Sequence, residues 1–364
     1  MEAIELYNNK QENVQEKLNH FDSDIQKAQQ NIKEVIAKVR QSYSQDWEAY
    51  NLAQTKEKAV CQQLFLELLN CVEEKEYKKG RPSLPMKEKL FCMFLYIFNG
   101  HSSRRSVSDF EFARQRGIIS EVPHFNTILN FFKDEELVLT LCEFIEISAL
   151  PLRLVEQDFA VDSSGFSTSR FERWFNIRTQ KDSFKRAWKK ANLIVGVKSR
   201  IITSLSVTDG FDADSPELVA LVEKTAKSFD MKEVCADKAY LSRENMHKIA
   251  ILGAVPFIPF KSNSVGNAKG FPIWREMFRF YTQNQEKFLE HYHKRSNVET
   301  AFSMIKRKFN NNIRTKRHTS QVNEILMKCL CHNLCVLVKE SYGIGLEIDL
   351  TKCAKDYNAQ KETN

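Results

Sequence analysis

The sequence predicts an α/β domain that follows a run of helices, and three observations carry that expectation. Strand-like runs of apolar and β-branched residues begin only near Val155, where they alternate with helical segments. The first 150 residues carry helical patterns alone. Two of the later strands deliver an aspartate at their C-terminal ends, Phe159-Ala160-Val161-Asp162 and Glu233-Val234-Cys235-Ala236-Asp237.

The elements follow in order. Val14, Leu18, Phe21, Ile25, Ala28, Ile32, Val35 and Val39 recur at alternating spacings of 4 and 3 among polar residues, without Pro or Gly. This is a heptad stripe, read either as a coiled coil that pairs two protomers or as an amphipathic helix folded on its own domain. A second helical stretch, Asp46–Glu74, runs into the basic linker Lys78-Lys79-Gly80-Arg81-Pro82, where Gly and Pro mark a boundary. Three helices are expected next, Met86–Phe98, Ser102–Gln115 and a third near His124–Lys133. Short helices with tight turns are compatible with a helix-turn-helix-like DNA-binding module, as with any small α-helical domain.

Beyond Asp162 the sequence Ser163-Ser164-Gly165 reads as a turn. Residues 191–197 and 201–207 read as an antiparallel pair across Lys198-Ser199-Arg200. A helix from Ser215 to Lys227, with Ser215 as cap and Pro216 at its first position, precedes the strand ending in Asp237. Helix Ser242–Leu252, strand Val255–Pro259, a Gly/Asn/Ser-rich loop at Ser262–Gly270, a helical stretch Trp274–Phe309 and an apolar helix Ser320–Ser341 complete the chain. An antiparallel start with parallel additions is the layout of an RNase H-like α/β domain. The expected organisation is therefore a coiled-coil helix (1–45), a helical linker (46–82), an all-α helix-turn-helix-like domain (83–150), an RNase H-like domain (151–342) and a tail (343–364).

Composition narrows the class of protein. Among 364 residues, 42% are hydrophobic and 28% charged, as in globular proteins large enough for a sizeable core. No apolar run approaches the ~18–20 residues that cross a bilayer. The start, Met1-Glu2-Ala3-Ile4-Glu5, is acidic and does not read as a secretory signal, so a cytoplasmic protein is expected. Nine scattered cysteines carry no disulfide-scaffold rhythm. Cys329, Cys331, His332 and Cys335 admit a zinc reading, but they sit in an apolar segment that reads as a buried helix. The net charge is +7, and Lys261 to His318 alone hold 13 Lys and Arg against 4 Asp and Glu. A basic excess concentrated in one segment fits a polyanion-binding surface.

The chemistry-bearing residues are acids. If the strands that deliver Asp162 and Asp237 are sheet neighbours, their carboxylates converge at one sheet edge, where α/β folds bind ligands. Close carboxylates repel unless one is protonated or divalent cations intervene, and oxygen ligands suit Mg²⁺ or Mn²⁺. Farther along, Tyr292, Arg295, Glu299 and Lys306 are offset by 3, 7 and 14 residues. On one continuous helix these fall within an arc of roughly 60°. Glu299 can complete a metal site, Arg295 and Lys306 can hold phosphates, and Tyr292 can hydrogen-bond a phosphate or stack on a base. A plain i,i+4 ion pair accounts for Arg295 and Glu299 but leaves Asp162 and Asp237 unexplained.

The Tyr292-x2-Arg295-x3-Glu299-x6-Lys306 spacing resembles the signature of the bacterial and archaeal insertion-sequence transposases with a DDE triad. The contexts Ala160-Val161-Asp162-Ser163-Ser164-Gly165-Phe166 and Ala236-Asp237-Lys238-Ala239-Tyr240 are similar to that family's first and second Asp regions. The resemblance runs from about Gly80 to Ser341. It implies Asp162, Asp237 and Glu299 as catalytic metal ligands for two Mg²⁺ or Mn²⁺ ions, and Tyr292, Arg295 and Lys306 as contacts to DNA ends. Lys261, after the last strand, is a further phosphate-contact candidate. The implied partners are DNA, both inverted-repeat element ends and target, and a second copy of the chain in a homodimer, with no membrane and a nucleoid-associated place in the cell. Only 62 residues separate Asp237 from Glu299, which leaves no room for the large β-rich insertion of some relatives. The implied reaction is hydrolysis at the element end, freeing a 3′-OH that attacks target DNA. A structure-specific nuclease of RNase H-like fold would share the acids without strand transfer. A non-catalytic descendant of a transposase would bind DNA only.

Overall fold

The structure is a computed structural model that describes residues 46–74, 83–168 and 188–363. The heptad stripe of residues 1–45 and the basic linker of residues 78–82 lie outside the described residues. Residues Glu48–Asn364 belong to one compact unit, so the expected boundaries at 82/83 and 150/151 fall inside it.

Five helices come first: α1 (Trp47–Leu69), α2 (Met86–Phe98), α3 (Ser106–Gln115), α4 (Phe125–Phe131) and α5 (Glu136–Ala149). Helix α2 spans the residues expected. Helix α3 starts four residues later than expected, after a turn in which Ser106 N–H donates to the Ser102 carbonyl (2.9 Å). The core of this half is aromatic, with Phe65 stacked on Phe94 at 4.5 Å and edge-on to Phe144 at 6.2 Å.

The sheet follows, with β1 (Asp158–Ser167), β2 (Trp188–Gly196), β3 (Ile202–Asp209), β4 (Glu233–Ala236) and β5 (Val255–Phe257) in spatial order β3-β2-β1-β4-β5. The first three strands are antiparallel neighbours, whereas β4 joins β1, and β5 joins β4, in parallel. Helices α6 (Glu217–Ala226) and α7 (Arg243–Ile251) make the crossovers. Ser242 caps α7 by accepting from Asn245 N (3.0 Å). Ser215 does not cap α6 as expected. The helix begins at Glu217 without a side-chain cap, and the Ser215 hydroxyl accepts instead from Asn245 Nδ2 (2.9 Å).

Two further expectations are corrected. The Ser163-Ser164-Gly165 turn does not exist: β1 runs on through Asp162 to Ser167, because β2 supplies cross-strand partners for every one of those residues. Pairing overrides weak local propensity here. Space is tight at Gly165, where a Cβ would stand 3.0 Å from the Trp188 indole. The stretch Trp274–Phe309 is not one helix. It divides into α8 (Pro272–Gln283), α9 (Gln285–Tyr292), a single 3₁₀ turn at His293–Arg295 and α10 (Ser296–Phe309). Asn284, at φ −134° and ψ 52°, interrupts the first helical path.

Helix α11 (His318–Ile344) is the spine of the unit, buried on every side from Ser320 to Leu334. A helix so enclosed must satisfy its polar side chains internally. Asn333 accepts from Ile202 N (2.9 Å) and donates to Ile202 O (2.8 Å) on β3 and to Ser148 Oγ (3.0 Å) on α5. Asn323 donates to the carbonyls of Phe132 (3.0 Å) and Asp134 (2.9 Å). Helix α5, the turn before it and the sheet are thus stitched to one rod. The expected tail carries another helix, α12 (Leu350–Thr363), whose Tyr357 hydroxyl donates to Glu146 at 2.6 Å. No helix among the described residues is long and apolar enough to cross a membrane.

The cysteine cluster lies within α11. Cys329 and Cys331 are fully buried, and burial pushes the Cys329 thiol up to about 12. His332 Nε2 lies 2.9 Å from the Arg200 carbonyl, a neutral imidazole donating to the β2–β3 turn, and burial lowers its pKa to about 4. Below pH 6.5 the unfolded chain takes up a proton that the folded protein refuses until about pH 4. The stability is therefore intact above pH 6.5 and falls across that window, by about 3 kcal/mol at most from this group. Urea unfolding followed against pH should show this acid limb in the native protein and a flatter one in His332→Gln.

Candidate active site

The parallel register of β1 with β4 aligns Val161 with Ala236, so the next residues along each strand, Asp162 and Asp237, come side by side as β4 ends. Alternation along the strands sets Asp162 and Asp237 on one face of the sheet, together with Ser164 and Phe166 of β1. The segment from α9 to α10 covers that face.

Arg295, at the end of the 3₁₀ turn, joins the acids. Its Nη1 donates to Asp162 Oδ2 (2.7 Å) and its Nη2 to Glu299 Oε1 (2.5 Å), one turn along in α10. Asp162 Oδ1 accepts from the Ser163 backbone N–H (2.8 Å). Burial raises the Asp162 carboxyl above the usual carboxylate range. The Ser163 N–H and the Arg295 guanidinium oppose the shift, and the negative charges of Asp237 and Glu299 add to it. Three carboxylates from three elements therefore share one electrostatic neighbourhood, with a guanidinium between two of them. Among the described residues, no group of three or more His, Cys, Asp or Glu side chains is drawn together closely enough to grip a metal ion.

The remaining residues take distinct places. Tyr292 ends α9 with its ring 5.9 Å from the Arg295 guanidinium carbon, and burial raises its phenol pKa against the pull of that guanidinium. Lys306, two turns beyond Glu299 in α10, donates to Ser164 Oγ (2.6 Å) and lies over the Phe166 and Phe302 rings at 5.2 and 5.7 Å. Burial lowers its pKa. Arg295 and Lys306 thus both reach β1, with Tyr292 and Glu299 beside Arg295, although the helix carrying them is interrupted, because a 3₁₀ turn tightens the path without redirecting it. Lys261 follows β5 at the same sheet edge, but it is exposed and stands outside the Arg295-centred ion pairs.

Sequence reasoning passed over a second ionic group on this face. Lys294 Nζ donates to Asp158 Oδ2 (2.8 Å) and Glu233 Oε2 (2.7 Å), and His291 Nδ1 lies 2.8 Å from Glu233 Oε1. The signal was present as a repeated spacing. Asp158 precedes Asp162 by four residues and Glu233 precedes Asp237 by four, which on strands means the same face.

A five-stranded mixed sheet with acids on adjacent parallel strands is compatible with an RNase H-like catalytic domain. Comparison with protein families supplies the class directly: the model of the transposase DDE domain matches residues 153–334, half of the chain. The chain belongs to this family of transposases, whose members act on DNA and generally use divalent metal ions. No curated protein and no solved structure matches it.

The local electrostatics are testable without turnover. In Arg295→Gln, loss of the guanidinium should move the Asp162 titration to still higher pH, read from ¹³C-carboxyl shifts of Asp-labelled protein. An unmoved or lowered midpoint would show that Arg295 does not govern this carboxyl.

Proposed function

We propose that the chain is a DDE transposase that cuts DNA at the ends of its insertion sequence and joins the freed 3′-OH to target DNA. In this reading Asp162, Asp237 and Glu299 are the catalytic carboxylates. The observation that carries it is the Arg295 guanidinium shared by Asp162 and Glu299, with Asp237 on the adjoining strand, since acids 75 and 62 residues apart in sequence have no local reason to share charge.

The donor set fits the family's cofactor. Carboxylate oxygens are hard ligands suited to Mg²⁺ or Mn²⁺, and a partly buried Asp162 in the field of two other acids gains from any cation placed among them. Two such ions, when bound, supply positive charge that stabilises the attacking and leaving oxygens of an in-line phosphoryl transfer. The protein's own groups do the rest. Arg295 gives up Asp162 and Glu299 and turns its planar donors to a phosphate of the element end. Lys306, held over Phe166 and Phe302, places a second cation along the same face, and the Tyr292 phenol offers a hydrogen bond or a stacking ring beside Arg295. Lys261 extends the phosphate track past the end of β5. In the same proposal residues 83–150 bind DNA, and the heptad stripe of residues 1–45 pairs two protomers.

The decisive experiment is cleavage and joining on DNA carrying the element's own ends. Asp162→Asn should reduce cleavage by at least about 10³-fold while leaving end binding intact, as expected for one member of a catalytic unit. Full cleavage by that variant would remove the assignment. Lys306→Ala should weaken end binding, and the slope of log K against log salt should shrink by about 0.9 if one phosphate contact is lost. Formation of joined products separates a transposase from a nuclease that only cuts.

A further inference from the structure

The acids on the covered face form two tiers. Asp158 and Glu233 are direct partners across β1 and β4, and Asp162 and Asp237 lie four residues farther along the same strands. Ala160 and Cys235 separate the tiers, which stand about 13 Å apart at 3.3 Å per residue. Like charges directly opposite one another destabilise a sheet, so each tier needs a cation. Consecutive residues supply them: Lys294 bridges Asp158 and Glu233, and Arg295 reaches Asp162.

The two clamps differ in what the reaction asks of them. Both acids held by Arg295 are ones the proposed chemistry needs free, so Arg295 cannot anchor its segment during turnover. Both acids held by Lys294 lie outside the triad. Other contacts reinforce that lower anchor: the Cys235 thiol donates to the His291 carbonyl (3.2 Å), His291 pairs with Glu233, and the His291 ring lies flat against Phe257 of β5 at 4.5 Å and 6°. The last turn of α9 is thereby tied to β4 and β5, and Lys294 in the next turn adds β1.

We propose that Lys294, together with Asp158 and Glu233, is a positioning clamp that keeps the segment carrying Glu299 seated on the sheet when Arg295 leaves Asp162 for DNA. The proposal rests on the transposase reading above. It makes Lys294 a positioning residue that touches neither DNA nor the reacting atoms. A cation is required there, and its particular shape matters less than its charge.

The test compares Lys294→Met, Lys294→Arg and the pair Asp158→Asn/Glu233→Gln in the full chain. Lys294→Met should cut the single-turnover cleavage rate at saturating element-end DNA by about 10- to 100-fold, the usual range for groups that orient catalytic ligands. End-binding affinity should stay within about 2-fold, a small change beside that rate loss. Lys294→Arg should recover most of the rate, and the acid pair should match Lys294→Met without adding to it when combined. Amide hydrogen exchange of residues 293–299 in the DNA-free protein gives a second reading that needs no turnover, and it should quicken in Lys294→Met and in the acid pair. Wild-type cleavage rates in Lys294→Met, an arginine variant as slow as the methionine one, or unchanged exchange would each overturn the clamp. If Lys294→Met does not fold, the acid pair and Lys294→Arg decide the matter by the same two measurements. Quickened exchange in a protein whose unmutated form cuts no element ends would uphold the clamp and remove the transposition reading beneath it.

Discussion

The parallel pairing of β1 with β4 is the constraint on which the rest depends. Once Val161 stands beside Ala236, two acidic side chains are forced together at each of two levels on the same sheet face. A bare face of this kind would repel itself: burial raises the Asp162 carboxyl, and the charges of Asp237 and Glu299 raise it further. The segment from His291 to Glu299 answers that charge with two consecutive cations, and a 3₁₀ turn there lets neighbouring residues address different tiers. The site is therefore built around negative charge neutralised by two cationic side chains, in a family whose members generally use divalent ions.

Rigidity comes from α11, which is enclosed by the elements it joins. Its asparagines bond backbone groups in β3 and in the helical half. Fully buried Glu324 accepts from the Arg314 and Thr315 backbone N–H groups and pairs with Lys328 at 3.1 Å. Arg314 in turn lies over the Tyr96 ring at 4.0 Å, so the loop leaving α10 is locked to α2. Truncating one member of such a buried pair leaves an uncompensated charge, which makes this network far more sensitive to substitution than the exposed ion pairs of the surface.

Several sequence expectations failed for one shared reason. Ser163-Ser164-Gly165 has the composition of a turn, yet a continuous partner strand keeps it extended. Ser215 has the composition of a cap, yet Asn245, thirty residues away, takes its oxygen. Residues 343–364 read only as a tail, yet they carry α12, with Leu350 and Ala354 buried. In each case a partner distant in sequence supplied bonds that local propensity cannot register. Helix α2 and the β2–β3 pair, whose signals are local periodicity and a short turn, emerged where expected.

By itself the sequence determined the order of the five strands, which of them deliver Asp162 and Asp237, and the spacing of Tyr292, Arg295, Glu299 and Lys306, because periodicity and offset are properties of a single segment. Only the tertiary structure decided that β4 lies against β1, that Arg295 spans Asp162 and Glu299, and that Lys294 faces Asp158 and Glu233. Those outcomes depend on which strands pair and which face a helix covers. Both are chosen by the burial and charge balance of the whole chain, which no single segment carries.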